Sequence, residues 1–117
     1  MAKTRLQNDE LPRGALRAIL LSLIAERPAH GYALARALED RTDGALKMRE
    51  GTLYPALHEL ELDGLVEPEV VEVEGRKRRV YRITPKGRRE ASDWKQHWIE
   101  MADLLQKLLR SPKPSTA

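Results

Sequence analysis

Between Gly75 and Arg89 the chain carries eight cationic side chains (Arg76, Lys77, Arg78, Arg79, Arg82, Lys86, Arg88, Arg89) and no acidic one. Guanidinium and ammonium groups at that density do one kind of chemistry well: they neutralise phosphate and hydrogen-bond its oxygens. The stretch before it, Glu50 to Glu74, is the reverse, with eight carboxylates and no Lys or Arg. The two segments carry −8 and +8, so the formal net charge of +3 hides a dense basic block. One reading of the juxtaposition is ion pairing between neighbouring strands. The other, taken as the working expectation, is a phosphate-binding surface.

The second concentration of chemistry is aromatic. Trp94 and Trp98 are the only tryptophans and lie four residues apart in a late apolar repeat. One reading is plain packing between two copies of a helix. The other is a flat-ligand pocket between the copies, lined by Trp94, Trp98 and Met101, with indole faces stacking on an aromatic compound. Trp98, nearer the middle of the repeat, is the first choice. Other chemistries are poorly supplied. Without cysteine there is no disulfide, thiol nucleophile, Cys-ligated zinc or iron–sulfur cluster. His30, His58 and His97 lack metal-ligand spacing, and no Gly-rich phosphate loop occurs. No cofactor, metal or catalytic residue is expected.

The 117 residues bound the architecture to one small domain with at most an appended element. With 41% hydrophobic and 33% charged residues, the composition is that of a folded soluble protein. The longest apolar stretch, Ala18 to Ala25, is far shorter than the ~20 residues a bilayer demands. No signal core opens the chain, and a cytoplasmic location is expected.

Apolar spacing places a first helix over 12–27, through Leu16, Ile19, Leu20, Leu23 and Ile24. Asn8 or Asp9 and Pro12 are its start signals, and Pro28 stops it. A second helix is expected over 31–43, with Gly44 ending it. A third is expected to start with Thr52 as N-cap, which puts Pro55 in the first turn, and to run to about Asp63. The period then shifts towards two. Residues 68–74 and 77–83 read as a hairpin with a II′ turn at Gly75-Arg76, setting Glu72 opposite Arg79 and Val71 opposite Val80; a four-residue loop is the alternative. Thr84 as N-cap and Pro85 at the first position open a last helix reaching about Arg110. In it Ala91, Trp94, Trp98, Met101, Leu105 and Leu108 form a heptad seam.

The order of elements is that of a mainly α protein with a small β-hairpin: a winged helix-turn-helix followed by one long C-terminal helix. The expected division is an N-terminal arm over 1–10, a winged helix-turn-helix DNA-binding domain over 11–84, a dimerisation helix over 85–110 and a disordered tail over 111–117. The third helix suits a major groove, and Arg76, Lys77 and Arg78 would meet phosphates or a minor groove. The long helix has more apolar surface than a monomer of this size can cover. A second copy packed through Trp94, Trp98, Met101, Leu105 and Leu108 would give a two-fold homodimer matched to a palindromic operator in double-stranded DNA.

Three stretches then carry a resemblance: Pro28-Ala29-His30-Gly31-Tyr32, Glu50-Gly51-Thr52-Leu53-Tyr54-Pro55-Ala56-Leu57-His58, and Tyr81-Arg82-Ile83-Thr84-Pro85-Lys86-Gly87. Together they resemble the PadR family of bacterial transcriptional regulators, over about residues 11–110. The single C-terminal helix is similar to that of the family's short branch. The resemblance implies a homodimeric DNA-binding repressor released by a small molecule; some short members are thought to hold flat aromatic effectors between subunits.

Within the third helix Thr52, Tyr54 and His58 are the candidate groove contacts, each with a plainer alternative: N-cap, packing against the wing, or simple solvation. Lys47 and Arg49 precede that helix as backbone-phosphate candidates, and Tyr32 opens the second helix as another. His30 reads as a cap or turn residue. One departure stands out. Many relatives carry a basic residue where this chain has Glu59, and the third helix contains no Lys or Arg. Bidentate Arg readout of guanine from this helix is excluded, leaving Thr52, Tyr54, His58, water or DNA shape. An enzyme, a winged-helix interaction module that has lost DNA binding, and a MarR-like or metal-sensing regulator are the competing classes. The basic wing argues against the second, and the histidine spacing and absent cysteine against metal sensing.

Overall fold

The computed structural model describes residues 11, 12, 14–110 and 112. The expected arm over 1–10, its start signals Asn8 and Asp9, and nearly all of the expected tail lie outside them. Seven elements follow in order: α1 (Ala15–Glu26), β1 (Ala29–His30), α2 (Gly31–Arg41), α3 (Glu50–Leu62), β2 (Val66–Val73), β3 (Arg76–Ile83) and α4 (Pro85–Leu109). The strands form an antiparallel sheet in the order β1-β3-β2. The core is aliphatic: Leu20, Leu21 and Ile24 of α1, Leu34 of α2, Leu53, Leu57 and Leu60 of α3, and Leu65 and Val66 are fully buried. Among the described residues no charged residue is buried.

Capping sets where the helices start. The His30 Nδ1 accepts from the Ala33 N–H at 3.1 Å and closes the N-terminus of α2, the role expected of it. Thr84 does the same for α4, accepting from the Gly87 N–H at 3.0 Å with Pro85 at the first helical position. The Thr84 hydroxyl also donates to the Gly64 carbonyl at 2.7 Å, tying the start of α4 to the loop after α3. On the other side of that loop Arg17 of α1 pairs with Asp63, and the Lys86 ammonium donates to the Asp63 carbonyl at 2.8 Å. The C-terminus of α3 is thereby fixed to both α1 and α4.

Two expectations need correction, and one element is unexpected. Thr52 is not an N-cap: α3 begins at Glu50 behind Arg49, which supplies no side-chain cap. The turn closes through the backbone, with the Thr52 and Leu53 N–H groups both donating to the Arg49 carbonyl at 3.0 Å. Pro55 therefore sits inside the helix and removes one bond, to Gly51. Both residues are exposed, so water can take the freed carbonyl. The hairpin turn is Glu74-Gly75, not Gly75-Arg76, with φ of 49° and 77°. Positive φ at both central positions is a type I′ turn, whose twist matches the strands. Its register sets Glu72 opposite Lys77, Val71 opposite Arg78 and Val70 opposite Arg79. Finally, β1 adds a third strand, pairing Ala29 with Tyr81 and His30 with Val80. Two residues are too few to show a period.

On the surface, Arg41 of α2 binds Glu26 of α1, with one bond of 2.9 Å. This hydrogen bond holds the Glu26 carboxyl below its ordinary value, against an opposing effect of burial. A lowered folded pKa means stability that is full above the unfolded value near ~4.3 and fades as pH falls through the folded one. Both partners are exposed, so the pair contributes less than about 1 kcal/mol. Thermal melts of Glu26→Gln are expected to fall slightly under wild type at neutral pH and to converge with it only as pH drops through the lowered folded value; a constant offset at every pH would contradict this.

Candidate nucleic-acid interface

The α2–α3 pair is a helix-turn-helix, and the β2–β3 hairpin is its wing. Where the first turn of α2 faces the start of α3, close approach is built in. The Tyr54 ring lies against Gly31, where an added Cβ would come within 3.1–3.2 Å of it. Tyr54 keeps its outer edge exposed, and Thr52 and His58 are exposed on the same helix. The His58 Nδ1 lies 3.6 Å from a Glu61 carboxylate oxygen, too long for a hydrogen bond, and Glu61 is paired with Arg79 of β3. That pairing joins the wing to α3 and raises the Arg79 pKa. The Tyr81 phenol beside it is pushed up by burial, with Arg79 partly opposing.

Tyr32 is 58% exposed. The His30 ring stacks on it at 6.3 Å and 23°, and the Arg78 guanidinium lies over it at 5.9 Å. The capping bond fixes His30, and the Arg78 contact ties the wing to α2 at Tyr32. On one side of Tyr32 opens a cleft of about 560 Å³ towards Lys47, Arg49 and the start of α3. On the other opens a cleft of about 550 Å³ towards Arg76 and Arg78 of the wing. The acids in these walls are Glu39 and Glu50 in the first and Glu74 in the second.

The basic block thus divides between its two readings. Arg82 pairs with Glu69 of β2 and Arg79 with Glu61, as ion pairing would have it. Arg76 and Arg78 face the Tyr32 cleft. Lys77 alternates to the opposite face of β3 and is not brought to that cleft. Arg36 is a site residue that sequence reasoning does not single out. It lines both clefts, and a signal for it exists, since Arg36 lies four residues after Tyr32 and so on the same face of α2.

The tryptophans come together within one chain. Their rings stack at 6.0 Å and 13°, with His97 edge-on to Trp98 at 5.6 Å. Both line an apolar groove of about 560 Å³ between α1 and α4, with Ala15, Ile19 and Leu23 opposite. The Trp98 Nε1 is buried without a hydrogen-bond partner among the described residues. Met101, one turn on, is not in the groove wall. Beyond it the seam is bare: Leu105 and Leu108 are 48% and 69% exposed. No group of three or more His, Asp or Glu side chains among the described residues could hold a metal ion, and no described helix is long and apolar enough to cross a membrane.

Comparison with known proteins places these features in a family. Residues 20–93, more than half of the chain, match the family model described as the transcriptional regulator PadR-like family. The chain is 40% identical over 93 residues to Transcriptional regulator Rv3488 of Mycobacterium tuberculosis, covering 80% of this chain and 84% of that one. Among solved structures, a transcriptional regulator from Clostridium thermocellum aligns with a TM-score of 0.73 at 31% identity, covering 84% of this chain and 96% of that one. A PadR-like transcriptional regulator from Bacillus cereus aligns with a TM-score of 0.76 at 28% identity, covering 86% and 96%.

Proposed function

The chain belongs to the PadR-like family of transcriptional regulators, a class of regulators rather than enzymes, and on that premise we propose that it is a homodimeric repressor of the bacterial cytoplasm binding a palindromic operator. The observation that carries the reading is the convergence of Tyr32, Lys47, Arg49, Arg76 and Arg78 on two adjoining clefts, one at the start of α3 and one at the wing. Phosphates seated there would bring α3 into the major groove, where Thr52, Tyr54 and His58 meet base edges. With no cation on α3, affinity comes from the clefts and the wing, and sequence preference from short polar groups and DNA shape.

The test is salt dependence. Changing Arg76, Lys77 and Arg78 together to Ala is expected to weaken binding to the operator and to random duplex by the same factor. The slope of log K against log salt should flatten by up to ~2.7, three phosphates at about 0.9 each. An unchanged slope refutes the wing assignment, and Lys77→Ala alone measures what the opposite face adds.

The groove at Trp94 and Trp98 supports a second element of the reading, release of DNA by a flat aromatic effector. In the dimer the groove is closed by the partner helix, and an effector would lie between them. Trp98→Ala is expected to abolish quenching of the remaining tryptophan by a flat aromatic dye, with DNA binding retained. Quenching that persists through Trp94 alone moves the pocket off Trp98.

A further inference from the structure

The two clefts beside Tyr32 are not independent. They share the Tyr32 ring as a dividing wall, and one cation, Arg36, belongs to the walls of both. We propose that Arg36 bridges two consecutive phosphates of one DNA strand, one in each cleft, and so couples docking of α3 to docking of the wing. The proposal rests on the DNA-binding reading above and adds a residue and a geometry to it.

The chemistry favours a bridge. A guanidinium presents five N–H donors in a rigid fork that can face two acceptors at once. A single fork spans neighbouring phosphates of a strand far more readily than phosphates on opposite walls of a groove ~6–12 Å wide. Each cleft brings its own further cations, Lys47 and Arg49 on one side and Arg76 and Arg78 on the other. Against them stand Glu39 and Glu50 in the first cleft and Glu74 in the second, so without Arg36 the first cleft is balanced and the second keeps a single net positive charge. Arg36 itself is exposed on a capped helix. Tyr32, in contact with both His30 and Arg78, ties the wall common to the two clefts to the wing. A flexible wing would dock separately from α3; a wing whose Arg78 lies over Tyr32 docks with it.

The experiment uses the full chain and duplexes carrying one neutral methylphosphonate, stepped along a strand. Wild type should lose affinity when either of two consecutive phosphates is neutralised. In Arg36→Ala, affinity for unmodified operator and random duplex should fall about tenfold together, and neutralising either of the two positions should cost less than in wild type. In Arg36→Lys, which keeps the charge but not the fork, one of the two positions should stay sensitive. Unchanged sensitivity at both positions in Arg36→Ala, or loss at only one, overturns the bridge while the DNA-binding reading stands. Failure of wild type to bind any duplex at low salt overturns that reading itself, and the bridge with it. Circular dichroism confirms that each variant keeps its helices, as an exposed position leads one to expect.

Discussion

Gly87→Ala is expected to lower stability by about 3 kcal/mol or more, an effect large enough to lower the melting temperature by ~10 °C or leave the chain insoluble. Gly87 is buried in the first turn of α4, in ordinary helical backbone, so its conformation alone would accept alanine and even gain from it. Space decides the sign. A Cβ there would lie inside the van der Waals sphere of the Leu65 carbonyl oxygen and 2.9 Å from Ile83 Cδ1. The carbonyl cannot step aside, because it accepts from the Thr84 N–H at 3.1 Å and follows the tight turn at Gly64. Relief would require α4 to lift away from the sheet, and that would break the Thr84 cap and the bond from Lys86 to Asp63. The damage would reach the C-terminus of α3, so DNA affinity should fall with stability. A melt within about 2 °C of wild type would mean that α4 is free to shift here. As a comparison, Gly51→Ala meets nothing within 4 Å and is expected to leave the melt unchanged or raise it.

What the amino-acid sequence makes legible here is mostly what is local. Thr84-Pro85 and His30-Gly31 announce helix starts because a cap is a local device: one side chain, one N–H three residues on. The hairpin register is not local in that sense. The expected and observed registers differ by two residues, which leaves every side chain on its own face, so the hydrophobic pattern cannot choose between them. Opposite charges favour the wrong register, which sets Glu74 opposite Lys77 and Glu72 opposite Arg79, whereas the observed one sets Glu72 opposite Lys77 and Glu67 opposite Arg82. The turn decides, and Glu74 at positive φ is an uncommon residue for that place. At α3, Pro55 points to a late start. The packing of Leu53, Ala56, Leu57 and Leu60 carries the helix back to Glu50 at the loss of a single bond. The cation clusters at Lys47, Arg49, Arg76 and Arg78 are legible as residue types. That Arg36 joins them, and that Lys77 does not, depends on how α2 and the wing meet at Tyr32.

Leu105→Glu combined with Leu108→Glu is expected to turn a dimer into a monomer by light scattering and to reduce affinity for a palindromic site by two orders of magnitude or more. The α4 helix is 25 residues and so ~37 Å long. Only its first half is used within the chain, where Ala91 is buried and Trp94 reaches Gly14 at the start of α1. The remainder projects: the radius of gyration is 17.1 Å, against about 13 Å for a compact chain of this length. That free half carries Leu104, Leu105, Leu108 and Leu109, the last 82% exposed. The chain also offers a matching surface, the apolar groove between α1 and α4. A two-fold axis would seat the free half of each α4 on the groove of its partner and bury both at once. Each leucine covered in that way contributes ~1.5–3 kcal/mol, counted twice by symmetry. Four glutamates in the same seam would leave charges buried without partners. Both positions are exposed in the single chain, so the monomer should keep its fold and its melting profile at low concentration. Its binding to a half-site should match that of a wild-type subunit, with only the gain from the second half-site lost. A dimer that survives both substitutions would place the interface on the Trp94 half of the helix instead, and would make the free half a surface for something other than a second copy.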